Sequence, residues 1–106
     1  MINESYPDEF DRELITVIAS LKSKAEIEAF LRDIFTIGEI KEASRRFQIA
    51  KRLWLGNTNY LQIASDLKTS TTTVTRVADW LFNKGLNGYA TVLERLHPKK
   101  TSAKKK

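Results

Sequence analysis

The first apolar residues fall at Phe10, Leu14, Val17, Ile18 and Leu21, at steps of four, three, one and three that put them on one stripe of a helix. This spacing predicts a helix over 8–21. Ser23 and Glu26 stand three apart, as in a capping box, where the Ser oxygen accepts from an orphan amide and the Glu reaches back to the cap amide. A second helix therefore begins there, with Ile27, Phe30, Leu31 and Ile34 as its apolar face. Another such pair, Thr36 and Glu39, breaks the chain near Phe35 and opens a third helix, the longest. In it Ile40, Ala43, Phe47, Ala50 and Trp54 recur every three or four residues, and Ile49 and Leu53 widen the face. Gly56 ends it, because glycine reaches the left-handed conformation without a side-chain clash.

Asn59 and Gln62 repeat the capping spacing and predict a short helix over 60–67; Lys68, Thr69 and Ser70 then form a tight turn before a fifth helix over 71–83. Ile63, Ala64 and Leu67 must face Val74, Val77 and Leu81, with Ala64 as the small residue where the axes come closest. Two short helices joined by about three residues form a helix-turn-helix, here over about 59–84. Lys68 stands where a glycine is common, which points to a strained or differently shaped turn. A last helix over 88–96 presents Tyr89, Val92, Leu93 and Leu96, and Pro98 stops it. No strand-like alternation, repeat or flexible linker intervenes. The fold class is all-α, with residues 1–97 as one helical domain and 98–106 as a Lys-rich tail expected to be disordered.

Composition narrows the function. With 106 residues, 42% hydrophobic and 29% charged, the chain matches an ordinary soluble domain with one modest core. No apolar run approaches the roughly 20 residues of a membrane span, and the acidic N-terminus is unlike a secretory signal, so a cytoplasmic location is expected. The absence of Cys and the single His exclude disulfides, thiol chemistry and a histidine metal cluster, so no metal is expected. His97, at a helix end, reads as a favourable C-terminal charge rather than a catalytic group. The net charge of +5 is polarised: residues 1–44 carry −5, residues 45–97 carry +5 and the tail carries another +5. A polyanion would meet the second half.

The fifth helix opens with Thr71, Thr72 and Thr73, followed by Thr75 and Arg76. Hydroxyls at a helix start cap amides, donate to phosphate or meet base edges, and threonine methyls meet the thymine methyl. This pattern predicts a recognition helix for double-stranded DNA in a sequence-specific transcriptional regulator. Readout falls to Thr71, Thr72, Thr73 and Thr75, and backbone affinity to Arg45, Arg46, Lys68, Arg76 and Lys84, with Thr69 in the turn beside them. The alternative is a helical protein-interaction adaptor that keeps the fold without specific DNA binding. An enzyme lacks its parts, since there is no Gly-rich phosphate loop and no nucleophile with a matching base. The wide apolar face of the third helix in so short a chain predicts a homodimer.

Over about 35–81 the chain resembles the tryptophan repressor superfamily, and more closely its uncharacterised bacterial branch. The marks are Thr36 and Glu39 before a long helix, Arg46 within it, Leu53 and Gly56 at its end, then Leu67 and the run Thr73, Val74, Thr75, Arg76. The resemblance implies an intertwined homodimer with reading heads about one turn of DNA, or 34 Å, apart, the docking known for that superfamily. It also implies an effector pocket beneath each recognition helix, where Thr36, Arg46 and Arg76 match in type. Val77 and Trp80 stand where the superfamily has small residues, and extra volume at a close contact costs about 1 to 3 kcal/mol. Tryptophan is therefore not expected as corepressor, no cofactor is expected, and Arg46 and Arg76 read as phosphate contacts or solvated residues rather than ligand clamps.

Overall fold

The computed structural model describes residues 5–98. The tail expected to be disordered lies, apart from Pro98, outside the described residues. Within them every regular element is helical: α1 (Glu9–Ala19), α2 (Lys24–Ile34), α3 (Ile37–Leu55), α4 (Tyr60–Leu67), α5 (Thr71–Asp79), a π-helical turn (Trp80–Lys84) and α6 (Gly88–Leu96). The chain forms two compact units, Met1–Ile40 and Lys41–Lys106.

In the first unit the helix starts follow the capping rule with local variations. Asp8 and Asp11 cap α1 reciprocally, each carboxylate accepting from the other's amide at 2.8 and 2.9 Å. The Ser23 hydroxyl caps α2 by accepting from the Glu26 amide at 3.1 Å, but the Glu26 carboxylate accepts from Lys22 rather than from Ser23. Thr36 and Glu39 form the full reciprocal box that opens α3. The apolar stripes of α1 and α2 are present, yet neither helix buries a residue. Phe10 is 80% exposed, Ile18 44% and Ile34 47%.

The second unit contains the core. Ile49 and Ala50 of α3, Ile63 and Ala64 of α4, Val74 and Val77 of α5, Leu81 of the π turn and Leu93 of α6 form one buried cluster, flanked by Phe47, Leu53, Trp54, Leu67 and Tyr89. Ala43, expected on the same face of α3, is exposed. After α3, Gly56 takes the left-handed conformation (φ 79°). The end of α4 is a Schellman motif: the Thr69 amide donates to Ala64 O at 2.9 Å and the Lys68 amide to Ser65 O at 3.3 Å. That geometry needs a left-handed residue, and Lys68 supplies it at φ 58°. The turn is thus of ordinary shape, with the strain on a residue that carries a Cβ.

The fifth helix was expected to run as an α-helix over 71–83; it instead widens into the π turn after Asp79. Within the π turn Leu81 stays in the core while Trp80 and Phe82 are exposed. Gly85 closes this turn so tightly that an added Cβ would run into the Trp80 carbonyl oxygen, whereas one on Gly88 would meet nothing within 4 Å. Gly85→Ala should therefore lower unfolding stability by about 1 to 3 kcal/mol, the usual cost of forced overpacking. Gly88→Ala, on an open helical site, should leave it unchanged or raise it, by about 0.5 to 1 kcal/mol. Urea titration of both variants checks the contrast.

Candidate nucleic-acid interface

The surface of α5 follows from which residues its core side uses. Val74, Val77 and Ala78 are buried, so the 3.6-residue period turns Thr71, Thr72, Thr75 and Arg76 outward, and all four are exposed. The cap is Ser70, whose hydroxyl oxygen accepts from the Thr73 amide at 3.0 Å and lies 3.0 Å from the Thr73 hydroxyl. This sets Thr73 apart from the other threonines, because it is half-buried and its hydroxyl is engaged. The hydroxyls of Thr71, Thr72 and Thr75 have no intramolecular partner among the described residues. Thr69, half-buried in the turn, serves the Schellman motif through its amide.

The expected phosphate-binding cations divide in two. Lys68 and Arg76 are exposed, and their side chains make no hydrogen bond or ion pair among the described residues. Arg45 donates from Nε to Leu67 O at 3.2 Å, satisfying a carbonyl at the end of α4, and its guanidinium also meets Glu42 at 3.5 Å. Arg46 lies 3.9 Å from the other Glu42 oxygen. Lys84 pairs with Asp79 at 3.3 Å and sits 5.9 Å over the Trp80 ring. The Asn83 amide, then Lys84, hold the Asp79 carboxyl below its usual pKa.

Three contacts had no mark in the chain's periodicity. Arg52 of α3 donates to Asp66 of α4 at 2.8 Å, and Gln62, instead of closing a capping box with Asn59, donates to the same carboxylate at 2.7 Å. The Arg52 hydrogen bond foremost, then that of Gln62, lowers the Asp66 pKa. The Trp54 indole donates to the His97 carbonyl at 2.9 Å, so the backbone of His97 holds α6 to α3.

Beside α5 opens a cavity of about 800 Å³, with Arg46 and Arg76 on its walls and Val77, Trp80 and Tyr89 among its apolar lining. Of the three residues expected to hold an effector, Arg46 and Arg76 thus meet at one cavity. Thr36 belongs to the first unit, where its hydroxyl caps α3. Glu42, and Tyr89, which the sequence placed only on the apolar face of the last helix, also line the cavity. Burial raises the Tyr89 pKa, and the nearby Arg46 charge pulls it partly back. Among the described residues no cluster of His, Cys, Asp or Glu could hold a metal ion, and no helix is long and apolar enough to cross a membrane.

Comparison with known proteins agrees with this architecture. The crystal structure of a TrpR-like protein from Eubacterium eligens ATCC 27750 superposes with a TM-score of 0.79 at 40% identity, over 89% of this chain and 95% of that one. The uncharacterized protein YerC of Bacillus subtilis (strain 168) is 35% identical over 94 residues, 89% of this chain and 88% of the relative. The profile of the family described as Trp repressor protein matches residues 11–97, so the two capped N-terminal helices, the long third helix, the helix-turn-helix and the closing helix are all accounted for, and the chain belongs to that family.

Proposed function

We propose that this chain is a DNA-binding transcriptional regulator that presents α5 to the major groove of double-stranded DNA. The observation that carries this reading is the start of α5, where three exposed threonine hydroxyls stand beside Arg76 and follow the turn residue Lys68, all without partners among the described residues. Helix-turn-helix proteins present this part of the second helix to base edges. Membership of the Trp repressor protein family supports the same class. The reading contains no catalytic step and places the chain with DNA in the cytoplasm. Lys68 and Arg76 supply direct backbone contacts; Arg45, Arg46 and Lys84, each shared with an acidic residue, supply less charge than their number suggests.

The second part of the proposal is a homodimer of the intertwined kind. Its support is the uncovered stripe of α1 and α2, where Phe10, Ile18, Ile27 and Ile34 remain exposed. Large apolar side chains left exposed on both helices of a small chain are the mark of an association face. A second copy brings an identical stripe, so a two-fold pairing covers both at once. Sedimentation at micromolar concentration should give twice the mass of the chain, and Ile18→Asp with Ile34→Asp, both on exposed sites, should shift it to monomer.

Tryptophan is proposed not to act as a corepressor of this chain. Val77 and the half-exposed Trp80 bring bulk to the cavity that carries Arg46 and Arg76. Calorimetric titration with tryptophan should show no saturable binding at micromolar concentration.

Selection from a random duplex pool tests the main reading. A regulator enriches a defined sequence, whereas an adaptor enriches none. On the selected site, Thr72→Ala should reduce the ratio of specific to random affinity by about 1 to 3 kcal/mol. Lys68→Ala should instead weaken all duplexes alike and lower the salt slope by about one.

A further inference from the structure

Resting on the DNA-binding reading above, we infer that the outward face of α5 reads thymine 5-methyl groups, so that the bound half-site is defined by adjacent thymines under Thr71, Thr72 and Thr75. Adenine is read in the major groove by the paired donor and acceptor of Asn or Gln, and α5 contains neither. Cytosine is read by a carboxylate, and the only one on α5, Asp79, has Oδ1 accepting from Asn83 at 3.0 Å and Oδ2 paired with Lys84 at 3.3 Å. Guanine is read by Arg or Lys, and the one such residue on α5, Arg76, is the residue assigned above to the phosphate backbone.

What remains is a cluster of three side chains, each ending in one methyl and one hydroxyl. A hydroxyl both donates and accepts, so by itself it discriminates weakly between base edges. The threonine methyl has one apolar counterpart in the major groove, the 5-methyl of thymine. Thr71 and Thr75 stand four apart and Thr72 and Thr75 three apart, so they are surface neighbours with Cβ atoms roughly 5 to 6 Å from each other. Base pairs repeat about every 3.4 Å along a strand, so the cluster spans two or three adjacent steps. Thr73 is excluded from the readers, because its hydroxyl sits against Ser70 and its side chain borders the cavity.

The test uses the full chain and the duplex it enriches from a random pool. Each thymine in that duplex is replaced in turn by deoxyuridine, which keeps every hydrogen-bonding group and removes only the methyl. At two or more neighbouring positions the replacement should weaken binding about fourfold, the worth of one methyl removed from water. Thr72→Ser keeps the hydroxyl and removes the methyl, so it should bind the thymine duplex about fourfold more weakly and no longer distinguish uridine at one position. Thr73→Ser should keep the discrimination of the parent at every position. An enriched duplex whose affinity no uridine changes overturns the methyl inference and leaves the DNA-binding reading standing. Discrimination that persists in Thr71→Ser, Thr72→Ser and Thr75→Ser alike overturns the assignment to these residues. If the chain enriches no duplex at all, both readings fall together.

Discussion

Val74 is fully buried, and with Val77 and Leu81 it fixes α5 and the π turn in the cluster that also contains Ile49, Ile63 and Leu93. Burying a side chain of this size contributes about 1.5 to 3 kcal/mol, more than any capping bond or surface ion pair nearby. That constraint determines the presentation of the helix. Once 74, 77, 78 and 81 point inward, 71, 72, 75 and 76 point outward, and no local hydrogen bond reverses the choice. The threonines are mediocre helix formers, and the helix survives them because its other side is anchored and the Ser70 hydroxyl accepts from the Thr73 amide in its first turn.

The parts of the fold that depend on short-range chemistry were legible in the chain. Capping pairs and 3.6-residue periodicity act over three or four positions, so the starts of α2, α3 and α4 and the core positions Ile49, Ala50, Ile63, Ala64, Val74 and Leu93 could be read directly. The parts that depend on long-range partners were not. Arg45 reaches Leu67 across 22 positions and Arg52 reaches Asp66 across 14, and a charge alone does not reveal whether its partner is a phosphate or a neighbouring helix. Thr73 illustrates the same limit at close range. It stands in a row of like residues, and only the rotation of the helix separates it from the others. Lys68 was visible as a departure from glycine, but that the turn keeps its ordinary geometry at a cost to Lys68 required the backbone angles.

Internal pairing also changes the meaning of the basic second half. Asp66 and Asp79, both with carboxyls held below the usual pKa, remain charged at neutral pH and offset part of the cationic field near α4 and α5. A depressed carboxylate pKa contributes stability above the unfolded value, and that contribution disappears as pH falls through the folded value. Protonation of Asp66 and Asp79 on acidification therefore weakens the Arg52 and Lys84 pairs. A surface with few free cations holds random DNA weakly, which leaves more of the total affinity to depend on the shape and groups of the bases.

The π turn from Trp80 to Lys84 also behaves as a phase shift in the chain. Each residue of an α-helix advances the side-chain direction by about 100°. Five residues wound as a π turn therefore do not deliver Leu86 and the start of α6 at the angle that a continued α-helix would give. Deleting one residue from this segment would act less as a shortening than as a rotation of everything after it. Tyr89 and Leu93 would be carried away from the positions they occupy beside and within the core. At this point length and angle are coupled, and the number of residues between Asp79 and Gly85, together with the extended Gly85 and left-handed Asn87 that follow, sets the direction of the closing helix.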